Sequence, residues 1–375
     1  NKVMEVKVIA MYLPQFHCIP ENDEFWGKGF TDWVTVKKAL PLYNGHKQPR
    51  VPLNGNYYDL SIKENVKWQC NLARKYGLYG FGVYHYWFNN DKNLLTAPAE
   101  IMRDSDDIDI NYFLTWDNGN WKRSWSNVAG NDWAPLADCP QEKNKGPQIL
   151  IPYILGREKD WENHYNYCRT HFHSPRYMKK DNKPVFGIFL YDKELDEMCR
   201  YWDKLARADG FDGMCFFFKY NKYKDIPKDA LKFNYEPAFS GWGAHSILDR
   251  VTNKIKTLTH THKELQIIDY DKVWRKVLKF AAQSKSQTFY HSAFVGYDDT
   301  PRRGRTRGIV IDGGTPDKFG KYIGELMTIC RKQNKEFLFL TAWNEWGEGA
   351  YLEPDSEMKY SYLEALNKAI IANKE

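Results

Sequence analysis

Eight short, β-rich apolar runs recur along the 375 residues, each followed by a stretch with helical spacing. This alternation narrows the architecture more than anything else in the chain. The runs are Val6–Tyr12, Gly80–Tyr84, Asn111–Trp116, Pro184–Tyr191, Gly213–Lys219, Lys232–Glu236, Thr288–Val295 and Glu336–Ala342. Near-continuous apolar runs are what parallel strands need when both faces are covered. The stretches between them carry one-sided stripes. Tyr270, Val273, Trp274, Val277, Leu278 and Ala281 fall on one face of a helix expected over Asp269–Ala282. Thr315 and Pro316 read as an N-cap and first-turn proline ahead of Phe319, Tyr322, Ile323, Leu326, Met327 and Cys330. Ile62, Val66, Cys70 and Ala73 mark a helix ending before Gly77, and Ser356 is expected to cap the last helix. Eight strands alternating with helices predict an α/β fold, a (β/α)8 TIM barrel with extended βα loops. An open doubly wound sheet is the competing architecture, and the lack of G-x-G-x-x-G after the first strand counts against it. One barrel takes about 250 residues and accepts insertions beyond 400, so residues 1–375 are expected to form a single catalytic domain.

Barrel enzymes carry their chemistry on the loops after the C-terminal ends of strands. The eighth run leads into Trp343-Asn344-Glu345-Trp346-Gly347-Glu348-Gly349. Carboxylates three apart diverge on a strand but converge in a turn, which Gly347 and Gly349 permit. Glycosidic cleavage typically uses two carboxyl groups, one protonating the leaving oxygen and one acting as base or nucleophile. Crowding two acids among aromatic rings raises one pKa and keeps a proton available near neutrality. Glu345 and Glu348 are therefore the expected catalytic pair, against the blander reading of a surface turn with two solvated glutamates.

Other strand ends supply expected substrate contacts. The first run leads to Tyr12, Gln15 and His17, the second to His85, Tyr86 and Trp87, and the third to Trp116, Asp117, Asn118 and Trp121. The sixth ends at Tyr235 and Glu236, and Trp343, Asn344 and Trp346 flank the acids. For the aromatic and histidine residues the alternative is ordinary core packing. Arg302, Arg303, Arg305 and Arg307, after the seventh run, read first as a solvated loop. Their second reading is a hold on an anionic substituent such as a uronate or sulfate.

Composition fits a carbohydrate cleft. There are 14 Trp, 25 Tyr and 21 Phe, many beside His, Asn, Asp or Gln. Ring faces cover the C–H faces of sugars, and the polar neighbours hold hydroxyls. The net charge of +6 is scattered, so no nucleic-acid surface is expected. Cys18, Cys70, Cys139, Cys168, Cys199, Cys215 and Cys330 show neither CxxC nor Cys/His zinc spacing, and most are expected to be buried thiols. No apolar run approaches the roughly 20 residues of a membrane span. The chain starts at Asn1 rather than Met. A periplasmic or cell-surface location is expected if a signal peptide has been removed, and a cytoplasmic one otherwise.

Four segments carry a family resemblance: Leu13-Pro14-Gln15-Phe16-His17, residues 21–33 (ENDEFWGKGFTDW), residues 84–88 (YHYWF) and residues 343–354 (WNEWGEGAYLEP). They resemble the WbsX-like proteins of bacterial polysaccharide loci over about residues 8 to 366. That group is similar, more remotely, to glycoside hydrolase family 99, the endo-α-mannosidases and endo-α-mannanases. The resemblance implies a (β/α)8 barrel that retains anomeric configuration without a metal or organic cofactor. It implies that the substrate's own 2-hydroxyl is the nucleophile, with an anhydro-sugar intermediate. By that motif Glu345 is the general base and Glu348 the acid/base. The chain departs from the pattern at Gly347, where characterised endo-mannosidases often carry His, so mannoside specificity does not carry over.

The leading expectation is a monomeric, retaining endo-glycosidase acting on a bacterial or host glycan. A glycosyltransferase or transglycosylase of surface polysaccharide assembly is second, and a carbohydrate-binding barrel without catalysis is third. Asp104-Ser105-Asp106 has the Asp-x-Asp form of metal-dependent transferases but follows a predicted helix, and it is read as chance.

Overall fold

A computed structural model describes residues 3–89, 92–122, 149–222, 224–243, 251, 255 and 264–375. Cys139 and the side chain of Trp121 lie outside the described part.

Nine parallel segments form the central sheet: β1 (Lys7–Tyr12), β2 (Gly80–Asn89), β3 (Asn111–Trp116), β4 (Lys183–Ile188), β5 (Cys215–Lys219), β6 (Leu231–Phe233), β7 (Phe289–Tyr290), β8 (Ser292–Phe294) and β9 (Phe337–Thr341). Their hydrogen-bonded order is β7-β6-β5-β4-β3-β2-β1-β9-β8. Only His291 separates β7 from β8, so the path of neighbours returns to the same stretch of chain and a nearly closed barrel results. The expected TIM-type barrel is therefore present. Its seventh run is split at His291, one half pairing with β6 and the other with β9.

Both faces of the strands are covered, as the apolar runs required. All five residues of β9 are buried, as are nine of the ten in β2. Inside the barrel, Phe339 of β9 meets Phe113, Phe217 and Phe233 at ring-centroid distances of 6.1, 5.4 and 5.1 Å. Outside, the helix Tyr270–Gln283 is capped by Asp269, and Pro316–Lys332 by Thr315 with proline in its first turn. Among the described residues, no helix is long and apolar enough to cross a membrane. Cys70, Cys168, Cys215 and Cys330 are buried free thiols, while Cys18 is exposed.

Three expectations are corrected. Ser356 does not cap the last helix, which spans Ser361–Lys374; Ser356 lies in a turn where Asp355 accepts from the Glu357 and Met358 amides. The sixth run pairs only over Leu231–Phe233, because Glu236 turns inward to bond Asn234 and Ser240. The second run does not stop at Tyr84. It continues to Asn89 and folds back onto Lys92–Leu94. His85, Tyr86 and Trp87 are therefore strand residues and alternate between faces.

β2 begins against the backbone of β3, with Gly80 paired to Asn111. A Cβ at Gly80 would run into the Asn111 carbonyl oxygen, which cannot rotate away. Gly80→Ala is expected to cost about 2 kcal/mol or more through overpacking, read as a lower urea midpoint at unchanged m-value.

Candidate active site

Beyond β9 the chain forms a small hairpin, Asn344–Glu345 paired antiparallel with Ala350–Tyr351, closed by the 3-10 turn Trp346–Glu348. Gly349 sits at φ 60°, and a Cβ there would lie 2.9 Å from the Asp298 amide. This tight turn swings Glu348 back toward Glu345, as the glycine spacing predicted. The two side chains are in hydrogen-bonding contact.

They face a cavity of about 250 Å³ at the C-terminal end of the barrel. Its walls include Leu13, Gln15, Tyr84, Tyr86, Phe189 and Tyr235, with Trp26 and Phe30 stacked on one another at 4.8 Å. The polar floor holds Asp32, Asp117, Lys219, Arg302, Glu345 and Glu348. The Tyr235 hydroxyl donates to Glu345 Oε2 at 3.4 Å, and Tyr84 donates to Tyr235 at 3.1 Å.

The electrostatics separate the acids. Burial pushes Glu345 well above the usual carboxylate range, and the negative charge of Glu348 adds to the rise. Burial also acts on Glu348, but the hydrogen bond from Glu345 and the positive charge of Arg302 outweigh it and hold Glu348 low. The environment thus pushes the two carboxyls apart, Glu345 toward its protonated form and Glu348 toward its ionised form.

Arg302 is the organising cation. It is 4% exposed, and its guanidinium donates to Glu348 Oε1 and to Asp32 Oδ2, both at 3.0 Å. This corrects the reading of the four arginines as one solvated loop. Arg302 is interior, Arg303 pairs with Asp299 at 3.4 Å, and Arg305 donates to the Leu42 carbonyl. Arg302 also explains Gly347, since a Cβ there would stand 2.6 Å from the Arg302 Nε.

The expected substrate residues divide. Gln15, Tyr86, Asp117 and Tyr235 line the cavity with the two acids. The others do not. Tyr12 donates to Gln69 on the helix Lys63–Lys75, at 2.6 Å. His17 is buried, with its Nδ1 3.3 Å from the Cys18 carbonyl oxygen. His85 and Trp87, one residue out of phase with Tyr84 and Tyr86, face the helix Glu158–Phe172. There Trp87 stacks on His164 at 4.6 Å, and Trp116 packs edge-on to it at 4.8 Å. Asn118 staples Leu190 through two 2.7 Å bonds. Glu236 is sealed off by Asn234 and Ser240, and burial pushes it up to about 7. Trp343 is core, Asn344 grips the Leu13 amide and carbonyl, and Trp346 stacks on Tyr351 at 3.8 Å.

Sequence reasoning missed Asp32, Lys219 and the interior place of Arg302. Asp32, Trp26 and Phe30 all belong to the segment ENDEFWGKGFTDW, so its density of aromatic and acidic residues was the available signal. Asp104 and Asp106 do not line the cavity. Asp104 pairs with Arg103 at 2.8 Å, and Asp106 is fully exposed.

Among the described residues, one set has metal-ligand character: His85, His164 and Cys168, with ligand atoms within 4.8 Å of one another. The histidine Nε2 atoms are 2.8 Å apart, a hydrogen bond with one ring donating and the other accepting. Burial pushes His85 down to about 3 and His164 well below its usual range, so both are neutral. The trio packs under the barrel wall rather than in the cavity, and we assign it no ligand.

Residues 8–366 match the family described as glycosyltransferase WbsX. The chain belongs to the WbsX family. It is 28% identical to the protein described as "Uncharacterized protein WxcX" from Xanthomonas campestris pv. campestris, over 98% of this chain and 50% of that protein. The chain therefore spans about half the length of the curated relatives it matches. Among solved structures it is similar to a glycoside hydrolase-like protein (TM-score 0.57, 12% identity, 99% of this chain and 95% of the other). It is also similar to the family 99 endo-α-mannosidase of Bacteroides thetaiotaomicron (TM-score 0.52, 14% identity, 99% and 98%). At such identities the likeness concerns the fold. This chain thus shares the barrel fold of those structures.

Removing the Arg302 charge leaves buried Asp32 and half-buried Glu348 without their partner. Arg302→Met is expected to destabilise the protein by on the order of 3 kcal/mol, whereas Arg303→Ala, on a partly exposed pair, changes stability by roughly 0.5 kcal/mol or less. Chemical denaturation of the two variants beside wild type checks the contrast.

Proposed function

We propose that this chain is a retaining glycoside hydrolase acting within a bacterial or host glycan, with Glu345 and Glu348 as its working carboxylates. One observation carries the reading: two acids in contact, Glu345 buried and Glu348 half-buried, stand at the floor of an aromatic-walled cavity that pushes Glu345 up and holds Glu348 low. A proton donor and a proton acceptor in contact are what glycosidic cleavage needs. Hydrogen-bonding contact also brings them nearer than the about 6.5–9.5 Å spacing of an inverting pair that must admit a water between its carboxyls.

The resemblance to family 99 assigns the base to Glu345 and the acid to Glu348. In that scheme Glu345 takes the proton of the substrate's 2-hydroxyl, and O2 attacks the anomeric carbon. The leaving oxygen takes a proton from Glu348. Water then opens the anhydro sugar, and the two acids exchange roles. Burial raises Glu345 and the hydrogen bond from Glu345 lowers Glu348, so this scheme requires the proton to be on Glu348 once substrate has entered. Their hydrogen bond provides the path.

A second reading follows from the family's description as a glycosyltransferase. The same acids would then serve transfer from an activated donor to a sugar acceptor.

Purified wild type incubated with a panel of bacterial and mannose-containing glycans, without nucleotide sugars, separates these readings. Release of reducing ends by wild type alone is expected. Product formed only after a nucleotide sugar is added would instead make it a transferase. Glu345→Gln and Glu348→Gln are each expected to lower kcat at least about 100-fold; near wild-type turnover in both would sink the assignment of the pair.

A glycosyl fluoride, whose leaving group needs no acid, divides the roles. Glu348→Gln is expected to keep most of its rate on the fluoride and Glu345→Gln to stay inactive. The reverse pattern would make Glu345 the acid.

A further inference from the structure

Two charged side chains in the cavity take no part in the chemistry above. Lys219 ends β5, and Asp117 follows the last residue of β3. Both line the same pocket, each feeling the other's charge, yet no salt bridge joins them. Among the described residues neither head group has a hydrogen-bond partner, although Asp117 and Lys219 are both partly buried. The Lys219 ammonium stands over the rings of Phe189 and Tyr235, 5.1 and 5.2 Å from their centroids. Those faces hold the cation in place without saturating its N–H donors. Arg302, the other cation of the lining, is engaged by Asp32 and Glu348.

A donor and an acceptor that face one cavity and are not bonded to each other leave hydrogen-bonding capacity that a ligand can take over from water. A sugar hydroxyl pair does so: one oxygen accepts from the ammonium while a neighbouring O–H donates to the carboxylate. Charge decides which sugar. The lining carries Asp32, Asp117, Glu345 and Glu348 against Lys219 and Arg302. Four carboxyl groups thus face two cations, and one of the cations is already engaged, so the lining is rich in acids. An anionic substituent would enter a negative site, whereas a neutral sugar meets no such penalty.

We propose that Asp117 and Lys219 clamp adjacent hydroxyls of one glycosyl residue, so that the pocket selects a neutral hexopyranose over a uronate. This rests on reading the cavity as a glycan site. It does not need cleavage to occur, so it is tested by binding and judged apart from the glycan panel.

The probes are methyl α-mannoside, methyl α-glucoside, methyl α-galactoside and methyl α-glucuronide, titrated against the full chain by ligand-observed NMR. Wild type is expected to bind at least one neutral hexoside more tightly than the glucuronide. Lys219→Met and Asp117→Asn should each weaken that hexoside roughly tenfold or more, as for hydrogen bonds to charged groups. The double variant should lose no more than about a further twofold, because both groups hold the same ligand feature. Lys219→Arg, which keeps the charge but not the geometry, should also bind weakly. Thermal melts near the wild-type midpoint identify the variants that remain folded.

Recovery of affinity in the double variant would reduce the two residues to a mutually compensating charge pair and overturn the proposal. So would tighter binding of the glucuronide, full affinity in Lys219→Arg, or a wild type that binds no hexoside, whatever the cleavage panel shows.

Discussion

A guanidinium leaves water at a cost of several kcal/mol, and it stays buried only where fixed acceptors replace its hydration. Arg302 meets that condition by drawing together three pieces of chain. Asp32 opens the helix Asp32–Lys38, Arg302 lies in the helix Thr300–Arg307, and Glu348 closes the hairpin after β9. The residues are 270 and 46 positions apart, and the two bonds of 3.0 Å fix their loops to one point. The same charge that ties the loops also helps the hydrogen bond from Glu345 to hold Glu348 low, while burial raises Glu345. Loop architecture and acid–base state therefore share one cause. A change in the position of Arg302 alters both.

The bridge also accounts for the departure from the endo-mannosidase pattern. A side chain at position 347 and the present position of Arg302 exclude each other, because a Cβ there would stand 2.6 Å from the guanidinium. At the position where the resemblance has a His, this chain has a glycine with a guanidinium from another loop packed against it. A common barrel does not imply a common sugar.

The barrel was legible because it rests on repetition. Eight apolar runs needed covering on both faces, and a parallel closed sheet supplies that cover. The hairpin acids were legible because their chemistry is concentrated in seven consecutive residues, Trp343 to Gly349. What could not be read was orientation. The extra length of β2 put His85 and Trp87 on one face and Tyr84 and Tyr86 on the other, and a run read as loop hides that alternation. Arg302, Asp32 and Lys219 were hidden for a different reason. Each is a single charged residue in a polar or mixed segment, and only long-range contacts distinguish it from a solvated one.

Many residues of the recognised motifs turn out to hold the site rather than face it. Asn344 accepts from the Leu13 amide at 2.7 Å and donates to the Leu13 carbonyl at 2.9 Å, joining the exits of the first and last barrel strands. Glu353 accepts from Tyr58 at 2.5 Å, Trp346 at 2.9 Å and Gln69 at 3.1 Å, which locks the far side of the hairpin. Burial pushes Glu353 up to about 7, the mark of a group that is structural at a real electrostatic cost. A pair of acids that must share a proton tolerates little displacement, and such precision comes from the residues behind the acids. The length of the motif from Trp343 to Pro354 thus reflects how much structure is needed to keep two carboxylates in contact. Only Glu345 and Glu348 within it line the cavity.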